Sequence, residues 1–117
     1  MSDTHPLLKG KSSEALALYA AFLDAFKQEG ATGEEPLKSM IAINGRGGHA
    51  AYVTQVGKNF IHAVFPFPRA FPDNLCFQKI APVPGQQQVN HHFRMLSADD
   101  LNEEVRSFMR RALEPGE

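Results

Sequence analysis

Cysteine is nearly absent: Cys76 alone precludes an intrachain disulfide framework and suits a reducing compartment, so the expected location is cytoplasmic. Charge of one sign is not in excess either. Twelve Lys and Arg against 13 Asp and Glu leave a net charge of −1, which gives no global pull toward nucleic acid or anionic lipid. A nucleic-acid role would therefore need a local patch. No apolar run approaches the roughly 20 residues of a membrane-spanning helix, so no membrane partner is expected. The opening stretch, Met1 to Gly10, carries Asp3, His5 and Pro6 where a signal peptide has an unbroken apolar segment. A soluble, intracellular protein is the expectation.

Catalytic and metal-binding spacings are also missing. The possible zinc ligands are His49, His62, Cys76, His91 and His92, yet no Cys-x-x-Cys or His-x-x-x-His pair occurs, and neighbouring His91 and His92 on a strand point to opposite faces. No metal and no cofactor are expected. There is no Gly-x-Ser-x-Gly elbow and no His-Glu-x-x-His, and the carboxylates concentrate in helices and turns, away from the histidines. Cys76 lies in an apolar segment, where an inert buried thiol is the default. Enzymatic activity has no support in these residues. A small hydrolase with His92 or His62 as base is kept as an alternative, although it lacks a partner carboxylate or nucleophile.

What is present is enough for one domain. With 117 residues, 43% of them hydrophobic and 21% charged, the chain can bury a core without disulfides or metal. Residues 1–11 form an arm, with Leu7 and Leu8 docking on the body. A helix starts at Ser12 or Ser13 and runs to about Glu29, where Gly30 stops it. Its apolar stripe is Leu16, Tyr19, Leu23 and Phe26, widened by Leu18, Phe22 and Ala25. Gly30 to Pro36 reads as a turn and Leu37 to Asn44 as extended. Asn44-Gly45-Arg46-Gly47-Gly48-His49 is glycine-rich, but a strand rather than a helix follows it, which favours a hairpin over a phosphate loop.

Further strands are expected at Ala50 to Val56, Phe60 to Phe65 and Leu75 to Ala81. Between the last two lies Pro66 to Asn74, whose prolines exclude a central strand and whose Phe67 and Phe71 ask for burial. That loop plugs the core, closes as a lid or makes a dimer contact. Val89 to Leu96 alternates, placing Val89, His91, Phe93 and Met95 on the core face and Asn90, His92 and Arg94 on the polar face. Ser97 with Asp100 forms a capping box, Leu96 staples onto Leu101, and a last helix runs from about Ala98 to Leu113. Its acidic first half and basic second half complement the helix dipole.

The fold expected is α+β: an N-terminal helix, a mostly antiparallel sheet of about five strands, and a C-terminal helix, both helices on one face. The other face is polar. His92 and Arg94 project from it together, and Lys79, Tyr52 and His62 are candidates to join them. Such a face suits an anionic small molecule or a protein partner, including a second copy of the chain in a homodimer.

The order Phe60-x-His62-x-Val64-Phe65-Pro66, Asn74-Leu75-Cys76-Phe77-Gln78-Lys79-Ile80, His91-His92-x-Arg94 and Ser97-x-x-Asp100-Leu101 resembles a family of small bacterial domains of unknown function. The resemblance runs from the first helix to the last. It implies an α+β domain with a helix at each end of an antiparallel meander and makes the His91-His92-x-Arg94 strand the signature segment. Related domains occur fused to restriction-endonuclease-like parts, which is the source of the second expectation, a nucleic-acid-associated accessory domain. No catalytic residue is carried over by the resemblance.

Overall fold

The computed structural model describes residues 7–46, 48–68, 70–71 and 76–113. Helix α1 spans Ser13–Glu29, with the Ser12 hydroxyl accepting from the Ala15 amide at its start. At its end Gly30 takes φ 124°, a value open to a residue without Cβ, and its N–H closes the helix on Lys27 and Phe26 carbonyls. The buried stripe is Ala15, Leu18, Tyr19, Phe22, Ala25 and Phe26. The stripe is rotated from the expected one: Leu16 is exposed and Leu23 only half-buried. Phe22 and Phe26, not Leu16 and Leu23, meet the sheet, because their rings stack on Phe65 and Phe93.

Among the described residues six strands follow, against about five expected: β1 (Gly33–Pro36), β2 (Ile41–Gly45), β3 (Gly48–Val56), β4 (Ile61–Phe67), β5 (Lys79–Pro82) and β6 (Val89–Met95). They form one antiparallel sheet in the order β1-β2-β3-β4-β6-β5. The extra strand is β1, in the segment expected to turn. Leu37 to Met40, expected to be extended, makes that turn instead, with the Leu37 amide bonded to the Met40 carbonyl. Pro36 is tolerated because β1 is an edge. The glycine-rich segment is the β2–β3 hairpin, pairing Gly45 with Gly48.

Pro66 and Phe67, expected in a loop, extend β4. Pairing to β3 stops at Val64, so Pro66 sits where β4 has a neighbour on one side only. Strand β5 starts at Lys79, later than expected; residues 72–75 lie outside the described residues. Because β6 lies between β4 and β5, the connection from β4 crosses it. Its described aromatic residues lie on the helix side, where Phe71 packs against His91 and Phe108, and Phe77 against His91, Phe65 and Phe108. Phe77 is therefore core and Phe71 is partly buried against it, as a plug requires.

The C-terminal helical region is two pieces. Ser97 and Asp100 do form the capping box, but on a 3-10 turn, Ala98–Asp100. Helix α2 then spans Glu103–Leu113, with the Asn102 side chain accepting from the Val105 amide. Leu96 is 57% exposed, so an apolar staple onto Leu101 buries little of it. Both helices join one hydrophobic cluster with the inward residues of β2, β3, β4 and β6, and thus cover one face of the sheet. Arg106 and Arg110 of α2 clamp Glu29 at the end of α1, at 3.0 and 2.8 Å. Leu7 and Leu8 pack on the cluster as expected of the arm; residues 1–6 lie outside the described residues. Among the described residues, no helix is long and apolar enough to cross a membrane.

Candidate functional site

The face without helices is ordered by the ladder. Glu35, Ala42, Tyr52, Val64, His92 and Lys79 lie opposite one another from β1 through β2, β3, β4 and β6 to β5. They form a single row across the sheet. The register also sets His62 opposite Arg94, and a pleat repeat of two residues keeps both on this side. The five candidates Tyr52, His62, Lys79, His92 and Arg94 thus share one face. Four of them form a cluster; Tyr52 stands apart, with Val64 between it and His92.

Within the cluster, His62 Nε2 and His92 Nδ1 are 2.9 Å apart, close enough to share one hydrogen bond. Both imidazoles are held below their ordinary pKa. For His62 burial is the first cause, followed by the positive charges expected on His92 and Arg94; for His92 it is burial and then Lys79. The Arg94 guanidinium lies 4.8 Å from the centre of the Phe60 ring, a cation–π contact that steadies it without using its hydrogen-bond donors. Among the described residues, no carboxylate lies within 4.0 Å of Lys79 or Arg94. Nor does any carboxylate or nucleophile among them hydrogen-bond to the side chains of His62 or His92.

At the other end of the row is a chain of hydrogen bonds that sequence reasoning missed. Glu35 Oε1 is 3.1 Å from His49 Nε2, and His49 Nδ1 is 3.3 Å from the Tyr52 hydroxyl. The expectation that carboxylates stay away from the histidines fails here. It fails because Gly33–Pro36 is a strand and not a turn: its pairing with β2 brings Glu35 beside the end of the β2–β3 hairpin. The Asn44 amide also donates to Glu35 Oε1, at 3.3 Å. Beside this chain, Leu37, Met40, Tyr52, Thr54, Val64, Gln88 and Asn90 line a depression of about 500 Å³. No sequence signal indicated it, since the turn at Leu37 to Met40 and the residues of β6 meet only through strand order.

His91 points the other way. It is fully buried, its Nδ1 lies 3.0 Å from the Val89 carbonyl and 3.3 Å from that of Phe65, and its Nε2 accepts from the Phe71 amide at 3.0 Å. Two carbonyls fix the proton on Nδ1, so this is a neutral, fully engaged core histidine, and burial holds its pKa below the ordinary value. The Cys76 thiol is pushed up to about 12 by burial and by Glu104, which keeps it protonated and inert. Among the described residues, no three His, Cys, Asp or Glu side chains come together as metal ligands.

No protein-family model matches this chain, and neither a curated protein nor a solved structure matches it.

Proposed function

We propose that this protein is a non-catalytic binding module that takes a small anion, a carboxylate or phosphate, on the open face of its sheet. The observation that carries this reading is the convergence of Lys79, His62, His92 and Arg94 on β5, β4 and β6, with neither Lys79 nor Arg94 ion-paired to a carboxylate among the described residues. Fixed cations with open donors bind carboxylate and phosphate oxygens by charge-assisted hydrogen bonds. The histidine pair adds a proton link. An anion favours imidazolium, so it raises the two pKa values that burial and the neighbouring cations hold down, and binding takes up protons.

A thermal-shift screen against carboxylates, phosphates and short oligonucleotides, run beside Arg94→Ala and His92→Ala, tests this reading. A small anion should raise the melting temperature of the parent and not of the variants, with a larger shift at about pH 6 than at about pH 8, on the two sides of the ordinary imidazole value. Oligonucleotide binding that falls steeply with salt would replace the small anion by a nucleic-acid backbone. Equal shifts in parent and both variants would remove the face from consideration.

A further inference from the structure

The chain from Glu35 to Tyr52 has a direction. Glu35 is held below the ordinary carboxylate range by its hydrogen bonds from His49 and then Asn44, so at neutral pH it is ionised and can only accept. His49 Nε2, 3.1 Å away, therefore carries a hydrogen. The tautomer with its one hydrogen on Nε2 leaves Nδ1 bare, and in it Nδ1 accepts the phenolic hydrogen of Tyr52 at 3.3 Å. Tyr52 lines the depression of about 500 Å³, and with its hydrogen committed to His49 its oxygen offers an acceptor there. The site asks for a donor.

Leu37, Met40 and Val64 give the depression an apolar wall beside the polar Thr54, Gln88 and Asn90. Val64 stands in the ladder between Tyr52 on one side and His92 on the other, so the cationic cluster adjoins the depression without lining it. Neighbouring strands are spaced by about 4.8 Å, so the backbones of Tyr52 and His92, two strands apart, are separated by about 10 Å along the row. One aromatic ring with a short acid arm spans such a gap.

Resting on the anion-binding reading above, we propose that this face selects aromatic carboxylates with a hydrogen-bond donor on the ring, opposite the acid. The carboxylate sits at His92, Lys79 and Arg94, the ring lies over Val64 against Leu37 and Met40, and the hydroxyl or amino donor meets the Tyr52 oxygen. A bare inorganic anion fills only one end. A neutral aromatic fills only the middle.

The test is calorimetric titration of the full chain with 4-hydroxyphenylacetate, phenylacetate, 4-hydroxyphenylacetamide and inorganic phosphate, using the parent, Tyr52→Phe and Arg94→Ala. The hydroxy acid should bind about five-fold more tightly than phenylacetate, the value of one added neutral hydrogen bond. Tyr52→Phe should erase that preference and leave phenylacetate binding unchanged; Arg94→Ala should weaken both acids alike. Tyr52 is half-buried, and the substitution removes one oxygen, so the fold is retained; a melting curve of the variant checks this. Equal binding of the two acids by the parent, or a preference that survives in Tyr52→Phe, overturns the donor assignment. Provided both acids and phosphate still lose affinity in Arg94→Ala, the anion reading stands in that case. An amide that binds as well as its acid overturns the anion reading itself, and failure of all four probes overturns both.

Discussion

Replacing His91 by phenylalanine separates two roles of one buried ring. The volume is nearly kept, so packing against Phe67, Phe71 and Phe77, whose ring centres lie 5.1, 5.6 and 4.9 Å from the imidazole, is largely retained. What is lost is the acceptor for the Phe71 amide and the donor to the Val89 and Phe65 carbonyls. An abandoned donor at a largely buried site costs about 1–3 kcal/mol, and that is the loss expected near pH 7.5. The pH dependence moves in the opposite sense. The folded pKa of His91 is lowered, so its contribution to stability is present above the unfolded value of about 6.5 and is lost as pH falls. While the unfolded imidazole is charged and the folded one neutral, the loss is up to about 1.4 kcal/mol per pH unit. His62 and His92 are shifted in the same direction, so the parent's acid limb is steeper than one proton. His91→Phe should flatten that limb by one proton. Urea denaturation from about pH 7.5 to about pH 5.5 measures both quantities, with the slope given by proton linkage. A variant whose stability falls with acid as steeply as the parent's would refute the neutral, engaged histidine, and one as stable as the parent near neutrality would refute the dependence of Phe71 on it.

Gly57→Ala should destabilise the protein by about 1–3 kcal/mol and weaken anion binding, since overpacking carries that cost and the added Cβ would fall 2.1 Å from the Phe60 ring that supports Arg94; chemical denaturation and the phosphate titration check the two effects, and unchanged affinity would mean that Phe60 does not position Arg94. Asn102→Ala removes the cap of α2 and should cost about 1 kcal/mol by urea denaturation, whereas a loss within error would place the helix start elsewhere. Iodoacetamide at about pH 8 should label the half-buried Cys76 far more slowly in the folded chain than in urea, because thiolate is scarce when the thiol is pushed up to about 12; equal rates would contradict that upward shift.

Caps, stops and strand alternation hold in the structure, whereas the Leu16 and Leu23 part of the first stripe and the Leu96 staple do not, and strand order has no local signal. The Ser12 cap, the Gly30 stop, the capping box at Ser97 and the alternation of Val89 to Met95 are each set by residues a few positions apart, and all appear in the structure. The C-terminal helix is shorter than the stripe suggests: apolar residues from Leu101 to Phe108 bridge the break, and Asn102, a cap five residues after Ser97, is the signal that marks it. Strand order left no local trace. That β6 lies between β4 and β5 depends on the path of the crossover, and that β1 exists depends on its pairing with β2, since Gly33-Glu34-Glu35-Pro36 has no apolar alternation of its own. The cationic half of the site was legible because His92 and Arg94 are two residues apart on one strand. The Glu35, His49 and Tyr52 half was not, because it is assembled from β1 and the β2–β3 hairpin.

The sheet has two edges, and both are poorly suited to recruit another strand. β1 and β5 are four residues each, and each ends in proline, at Pro36 and Pro82. Short edges that end without an amide hydrogen resist strand addition, which would otherwise be the cheapest way for a six-stranded sheet to take a partner. The helix face is closed by the core. What the molecule presents is therefore the face of the sheet, where Ala42 and Val64 are buried beneath their neighbours while His92, Lys79 and Arg94 remain at the surface. A partner reaching that face meets side chains rather than backbone, so its recognition rests on charge and shape. That favours a ligand with a fixed anion and a defined body over an extended peptide that reads backbone.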